Sequence, residues 1–160
     1  MAILDAAMGM IPLRTPLESE TVKLEVTTGD TVYPGDIVIL AAGLVANYAT
    51  GQEALGVCMD YAVAGEKATV CTAPDMTYRI KGNDNFADAN VGQFCDLVSA
   101  SAVNTATLRS AIVADTTNFA ATAGTNDLLQ CVGEYSVVTP VAEPQWFEVR
   151  LHTLTLSGAK

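Results

Sequence analysis

The sequence predicts an all-β protein, a small β-barrel or sandwich with an extended N-terminal arm. Three observations carry that prediction. Val22, Leu24 and Val26 alternate with Lys23, Glu25 and Thr27, the period-two pattern of a strand with one buried face. The run Gly29-Asp30-Thr31-Val32-Tyr33-Pro34-Gly35-Asp36-Ile37-Val38-Ile39-Leu40 brackets β-branched residues between two Gly-Asp pairs. Glycine supplies the φ > 0 positions of tight turns, aspartate hydrogen-bonds the turn backbone, and β-branched residues suit a half-buried pleated surface. Finally, no segment sustains a 3.6-residue apolar period, and only Ser99–Leu108 leaves room for a short helix.

Taken in order, residues 1–20 read as an arm. Ile3, Leu4, Met8, Met10, Ile11, Leu13 and Leu17 are apolar, while Gly9, Pro12 and Pro16 break any long helix. Such a segment must be covered, by its own barrel or by another chain, and these seven side chains are the candidate interface. The β domain spans residues 21–160. Its first strand is followed by the Gly-Asp turn–strand unit and by a turn-rich loop over Ala41–Gly51. Residues 55–63 and 68–73 flank the turn Ala64-Gly65-Glu66-Lys67 as a hairpin. With Val63 facing Ala68, Cys58 and Cys71 fall on one face without lying opposite each other. Met76–Lys81 is a further strand, ended by Gly82-Asn83-Asp84-Asn85.

A second cycle then begins. Asp88-Ala89-Asn90-Val91-Gly92-Gln93-Phe94-Cys95 echoes Thr31–Val38 as a Val, a Gly and a short apolar strand, although Gln93 stands where Asp36 does. Strands are expected near Leu108–Ala114, Leu128–Val138 and Trp146–Leu156. The echo suggests an internally duplicated β motif with half-repeats at 21–85 and 86–160.

The 160 residues carry 18 acidic and 8 basic side chains, a net charge of −10, and no cluster of Lys and Arg suited to phosphates. No nucleic-acid partner is expected. The N-terminus has no basic n-region, and no apolar run is long enough to span a bilayer, so no membrane partner is expected either. Cys58, Cys71, Cys95 and Cys131 are widely spaced and each lies in an apolar run, which predicts buried free thiols and no metal site. His152 is the only histidine, and it shares a strand face with Glu148 and Arg150, opposite Phe147, Val149 and Leu151. No Gly-x-Ser-x-Gly elbow accompanies it. Asp84 and Asp88 do not match calcium-loop spacing. The Gly-Asp string resembles the turn of biotinyl and lipoyl carrier domains, but no acceptor-lysine tip follows. No catalytic residue, cofactor or enzyme activity is expected.

Val32-Tyr33-Pro34-Gly35-Asp36-Ile37-Val38, Leu55-Gly56-Val57-Cys58 and Ala64-Gly65-Glu66-Lys67-Ala68-Thr69-Val70 together resemble the tailed-bacteriophage capsid decoration (cement) proteins of small β-barrel or β-tulip type. The resemblance covers residues 22–73. It implies a non-catalytic virion protein, made in the host cytoplasm, that binds the outer capsid surface and stabilises the major capsid protein lattice. It also implies a homo-oligomer, with a trimer favoured. A carbohydrate-binding or enzyme-associated accessory β domain is the alternative. Its discriminating feature would be exposed aromatic residues, and Trp146 is the only tryptophan.

Overall fold

The computed structural model describes residues 8–84, 87–122, 128–134 and 146–152. Fourteen strands lie among them. The first eight are β1 (Ile11–Pro12), β2 (Thr21–Glu25), β3 (Thr31–Val32), β4 (Ile37–Ala41), β5 (Leu44–Asn47), β6 (Gly56–Cys58), β7 (Ala62–Val63) and β8 (Lys67–Cys71). The rest are β9 (Tyr78–Lys81), β10 (Phe94–Cys95), β11 (Val103–Asn104), β12 (Arg109–Ser110), β13 (Leu129–Glu134) and β14 (Trp146–Leu151). The described residues contain no α-helix, only 3-10 turns at Glu18–Glu20 and Asp88–Asn90. Nor do they include a helix long and apolar enough to cross a membrane. Ser99–Leu108 holds β11 and a turn into β12 rather than a helix.

Two five-stranded antiparallel sheets, ordered β2-β8-β6-β4-β5 and β1-β9-β14-β13-β10, are accompanied by the ribbons β3-β7 and β11-β12. The protein is all-β, as the alternation predicts. The first sheet curls until its edges meet at one parallel bridge, Val26↔Val45. Thr27 N–H donates to the Val45 carbonyl there at 2.8 Å. No continuous ladder closes a barrel among the described residues.

The two sheets contain one four-stranded arrangement twice. In the first, β2 pairs with β8 as Val22↔Val70 and Leu24↔Ala68. In the second, β9 pairs with β14 as Tyr78↔Val149 and Ile80↔Phe147. Val57↔Cys71 and Cys58↔Val70 correspond to Gln130↔Arg150 and Cys131↔Val149. Ile37↔Val57 and Val38↔Gly56 correspond to Phe94↔Gln130 and Cys95↔Leu129. Even the closing contact recurs, as the parallel bridge Gly82↔Ala114, with Asn83 N–H donating to the Ala114 carbonyl at 3.1 Å. Register agreement through three ladders and a bridge defines two units. They divide between β8 and β9, so Tyr78–Lys81 opens the second unit and the break falls ahead of the 85/86 boundary expected from sequence.

The Gly echo has a geometric basis. Gly35 (φ +93°) and Gly92 (φ +84°) each occupy the first position of a β-bulge. Gly35 N–H donates to Cys58 O while Cys58 N–H donates to Asp36 O; Gly92 N–H donates to Cys131 O while Cys131 N–H donates to Gln93 O. Two residues thus oppose one, and the left-handed glycine is what that bulge demands.

Packing differs between the units. The first unit's inner face, with Val26, Val38, Val45, Cys58, Ala68 and Val70, forms a closed cluster capped by Val32 and Ala62 of the β3-β7 ribbon. Its outer face carries Ile37, Ile39, Val57 and Cys71, which join the second unit's inner residues Tyr78, Ile80, Cys95, Cys131, Phe147 and Val149 in a larger cluster. The central strands of the first sheet are therefore buried on both faces, which is why β4 reads as a nearly continuous apolar run.

Two sequence expectations are corrected. The β6–β8 register puts Cys58 opposite Val70 and Cys71 opposite Val57, so the two thiols lie on opposite faces. The chain leaves the ladder near Asp60, whose carboxylate accepts Thr69 N–H at 2.8 Å, and β7 pairs with β3 instead. The expected arm is also not a separate element throughout. Met10 is 1% exposed in the large cluster, and Ile11–Pro12 forms β1 against β9.

Candidate interaction surface

The N-terminal segment is held by backbone geometry before any side chain acts. Met10 N–H donates to Gly35 O at 3.0 Å, and Leu13 N–H donates to Thr77 O at 3.1 Å. Gly9 (φ +68°) passes so close to Ser110 and to the Gly35 carbonyl that a Cβ would sit 2.5 and 2.7 Å from them. Under this crossing lies Asp36, which is 6% exposed. Its carboxylate accepts Tyr33 N–H at 2.9 Å, and the nearby Ser110 hydroxyl acts to lower its pKa. Burial nevertheless dominates and raises its pKa.

Beyond β1 the segment emerges. The Arg14 guanidinium makes two 2.7 Å hydrogen bonds to the Glu20 carboxylate, which also accepts Leu17 N–H at 2.7 Å. The guanidinium and the Leu17 amide hold Glu20 at about 2, below its ordinary 4.5. This clamp fixes the turn that presents Leu17, which is 62% exposed. Leu13 is exposed beside it and lines an open groove with Pro12, Arg14, Thr15, Pro16 and Met59.

A second exposed apolar group comes from the departure between the units. In the first, β4 and β5 join through a tight turn with Ala42 (φ +51°) and Gly43 (φ +84°). In the second, the matching contacts are Leu97↔Ala114 and Val98 N–H to Val113 O at 3.0 Å, so the stretch between them replaces that turn. It contains the β11-β12 hairpin and exposes Val98 (52%), Val103 and Leu108 (53%). Leu108 is also left-handed, at φ +49°, a conformation that costs a non-glycine residue roughly 1 kcal/mol or more. The residue keeps this strained backbone while more than half exposed. Ser110 N–H donates to Pro34 O at 3.1 Å, which anchors this insertion to the first unit's bulge.

The seven residues proposed from sequence thus separate. Met10 is core, and Ile11 sits half-buried in β1. Met8 is half-buried, whereas Leu13 and Leu17 are exposed. Ile3 and Leu4 lie outside the described residues. Sequence reasoning missed Val98, Val103 and Leu108. The signal was present as a break in the second cycle longer than its counterpart in the first.

The cysteines are free and buried, as their apolar settings predict. Burial pushes Cys58 up to about 12, which suppresses its thiolate and its reactivity. His152 is exposed and packs edge-on against Phe94, with centroids 4.6 Å apart. Trp146 is 7% exposed with the Arg79 guanidinium 5.6 Å from its ring centre, so it offers no open stacking platform. Among the described residues no group of three or more His, Cys, Asp or Glu is placed to hold a metal ion. No protein-family model matches the chain, and comparison with curated proteins and with solved structures finds no match.

Proposed function

We propose that this chain is a non-catalytic structural protein of a bacteriophage virion, which binds the outer capsid surface and stabilises the major capsid protein lattice as a homo-oligomer. The observation that carries the proposal is a group of exposed apolar side chains, Leu13, Leu17, Val98, Val103 and Leu108, on two segments hydrogen-bonded to the two-unit β body. Fixed backbone lowers the entropy lost on binding, and exposed aliphatic groups supply burial without demanding one ligand chemistry. The turn–strand motifs around Val32–Val38 and Ala64–Val70 support the same reading through their resemblance to decoration proteins. Repetition over a lattice raises avidity even where a single contact is weak. The test is co-sedimentation of the purified protein with capsids that lack it, followed by measurement of their thermal tolerance. Binding that raises tolerance supports the proposal; failure to bind, together with absence from purified virions, overturns it. Trp146 is buried, so the carbohydrate-binding alternative would have to rest on Tyr61, 47% exposed with its ring centroid 5.4 Å from that of Tyr33.

A further inference from the structure

The second unit contains a pair of thiols that the first lacks. Phe94↔Gln130 and Cys95↔Leu129 set the β10–β13 register, and Cys131 N–H reaches Gln93 O at 2.9 Å. Cys95 and Cys131 are therefore diagonal neighbours on one inner face, since residues two apart on a strand point the same way. Both are buried and free within one cluster, near enough for the Cys131 thiol to raise the pKa of Cys95. A bulge in β13 between Cys131 and Gly133 adds local twist. At the equivalent positions the first unit has Val38 and Cys58, and the Cys58 thiol turns to the Asp60 carbonyl at 3.0 Å. Cys71 lies on the opposite face of that sheet. Only one cysteine pair is thus placed to join.

We propose that Cys95 and Cys131 are a thiol–disulfide site, which a small-molecule disulfide oxidises to a cross-strand bridge that staples β10 to β13. β10 is a two-residue strand at the end of its sheet. Its outer side is held by the bridge Phe94↔Ala120. Fraying of such an edge admits the oxidant. One cysteine, as thiolate, attacks a sulfur of the small disulfide and expels one thiolate. The second cysteine then displaces the second thiolate from the mixed disulfide. Two protons pass to the two departing thiolates, the cysteines lose two electrons, and the small disulfide gains them. Because the neighbouring Cys131 thiol and burial both raise Cys95, the first attack is slow in the closed state.

The test uses the purified full chain and oxidised glutathione, read by intact mass and peptide mapping. The expected result is loss of two hydrogens, a Cys95–Cys131 cross-link, and Cys58 and Cys71 still open to alkylation after denaturation. Tm should rise by roughly 5–15 °C on oxidation and fall back with reductant. Cys95→Val, which copies the first unit's Val38, should fold without forming the cross-link. Only mixed disulfides with glutathione, a bridge through Cys58 or Cys71, or no mass change after prolonged incubation would overturn the site. A cross-link without a rise in Tm would overturn the staple.

Discussion

Gly35 and Gly92 occupy the same bulge position with nearly the same φ, yet they face different surroundings. A Cβ on Gly35 would lie 2.8 Å from the Met8 carbonyl, whereas one on Gly92 meets nothing within 4 Å among the described residues. Gly92→Ala should cost about 1–2 kcal/mol from the left-handed backbone alone. Gly35→Ala should cost at least about 1 kcal/mol more, because the N-terminal chain must also shift. Urea unfolding of the two variants measures the difference, and equal losses would mean that the N-terminal segment does not press on the bulge. Two carboxylates act on stability in opposite senses. Glu20 titrates at about 2 rather than 4.5, so its contribution is present above pH 4.5 and is lost as pH falls through 2. Asp36 is raised above 3.8 by burial, so its cost is full above its folded pKa and fades as pH falls toward 3.8. Asp36→Asn should flatten the loss of Tm seen as pH rises above 3.8, while Glu20→Gln should flatten the acid limb. A wild-type profile unchanged by either substitution would refute these assignments.

At the scale of elements, β1 and the β11-β12 insertion have different duties. Met10 and β1 belong to the core and to the second sheet. Removing Ala2–Pro16 should therefore lower stability by about 2–5 kcal/mol for the lost Met10 side chain alone, read from chemical denaturation. A truncated protein as stable as the full chain would return this segment to the status of a detachable arm. The insertion is different at its tip. Leu108→Gly removes an exposed apolar group held at φ +49°. The fold should be unchanged or more stable by up to about 1 kcal/mol, while association with capsids weakens. If capsid association is unchanged for Leu108→Gly, and also for Leu17→Asp, these exposed groups are not the contact surface.

Over the whole molecule, the first unit's outer face and the second unit's inner face form one cluster. Neither surface remains buried if the other unit unfolds. Exposing Ile37, Ile39 and Val57 on one side and Tyr78, Phe147 and Val149 on the other would cost each unit several large apolar burials, at about 1.5–3 kcal/mol apiece. Thermal unfolding should therefore be one cooperative transition, with calorimetric and van't Hoff enthalpies equal. Trp146 fluorescence reports the second unit, and amide exchange at Val38 and Val70 reports the first. Separate midpoints would show the units to be energetically independent.

Features governed by short-range rules were legible in the residue order. Alternation at Val22–Thr27 marked β2, the glycines at 35 and 92 marked positions of φ > 0, though as turns rather than bulges, and apolar surroundings marked four buried thiols. Each of these follows from steric limits or side-chain chemistry within a few residues. The β6–β8 register was not legible, because Asp60 draws the chain out of the ladder by accepting a hydrogen bond from Thr69. Met10 read as a candidate interface residue because the large cluster that holds it draws on β4, β9 and later strands, far away in sequence. The candidate surface was legible at Leu13 and Leu17 but not at Val98, Val103 and Leu108. Their exposure depends on which side of the insertion Ser110 ties to the first unit. Long-range packing alone sets that one copy of the repeated arrangement seals its inner face with a ribbon while the other lays its inner face on its neighbour. Period-two patterning marks two faces of a strand but names no partner for either.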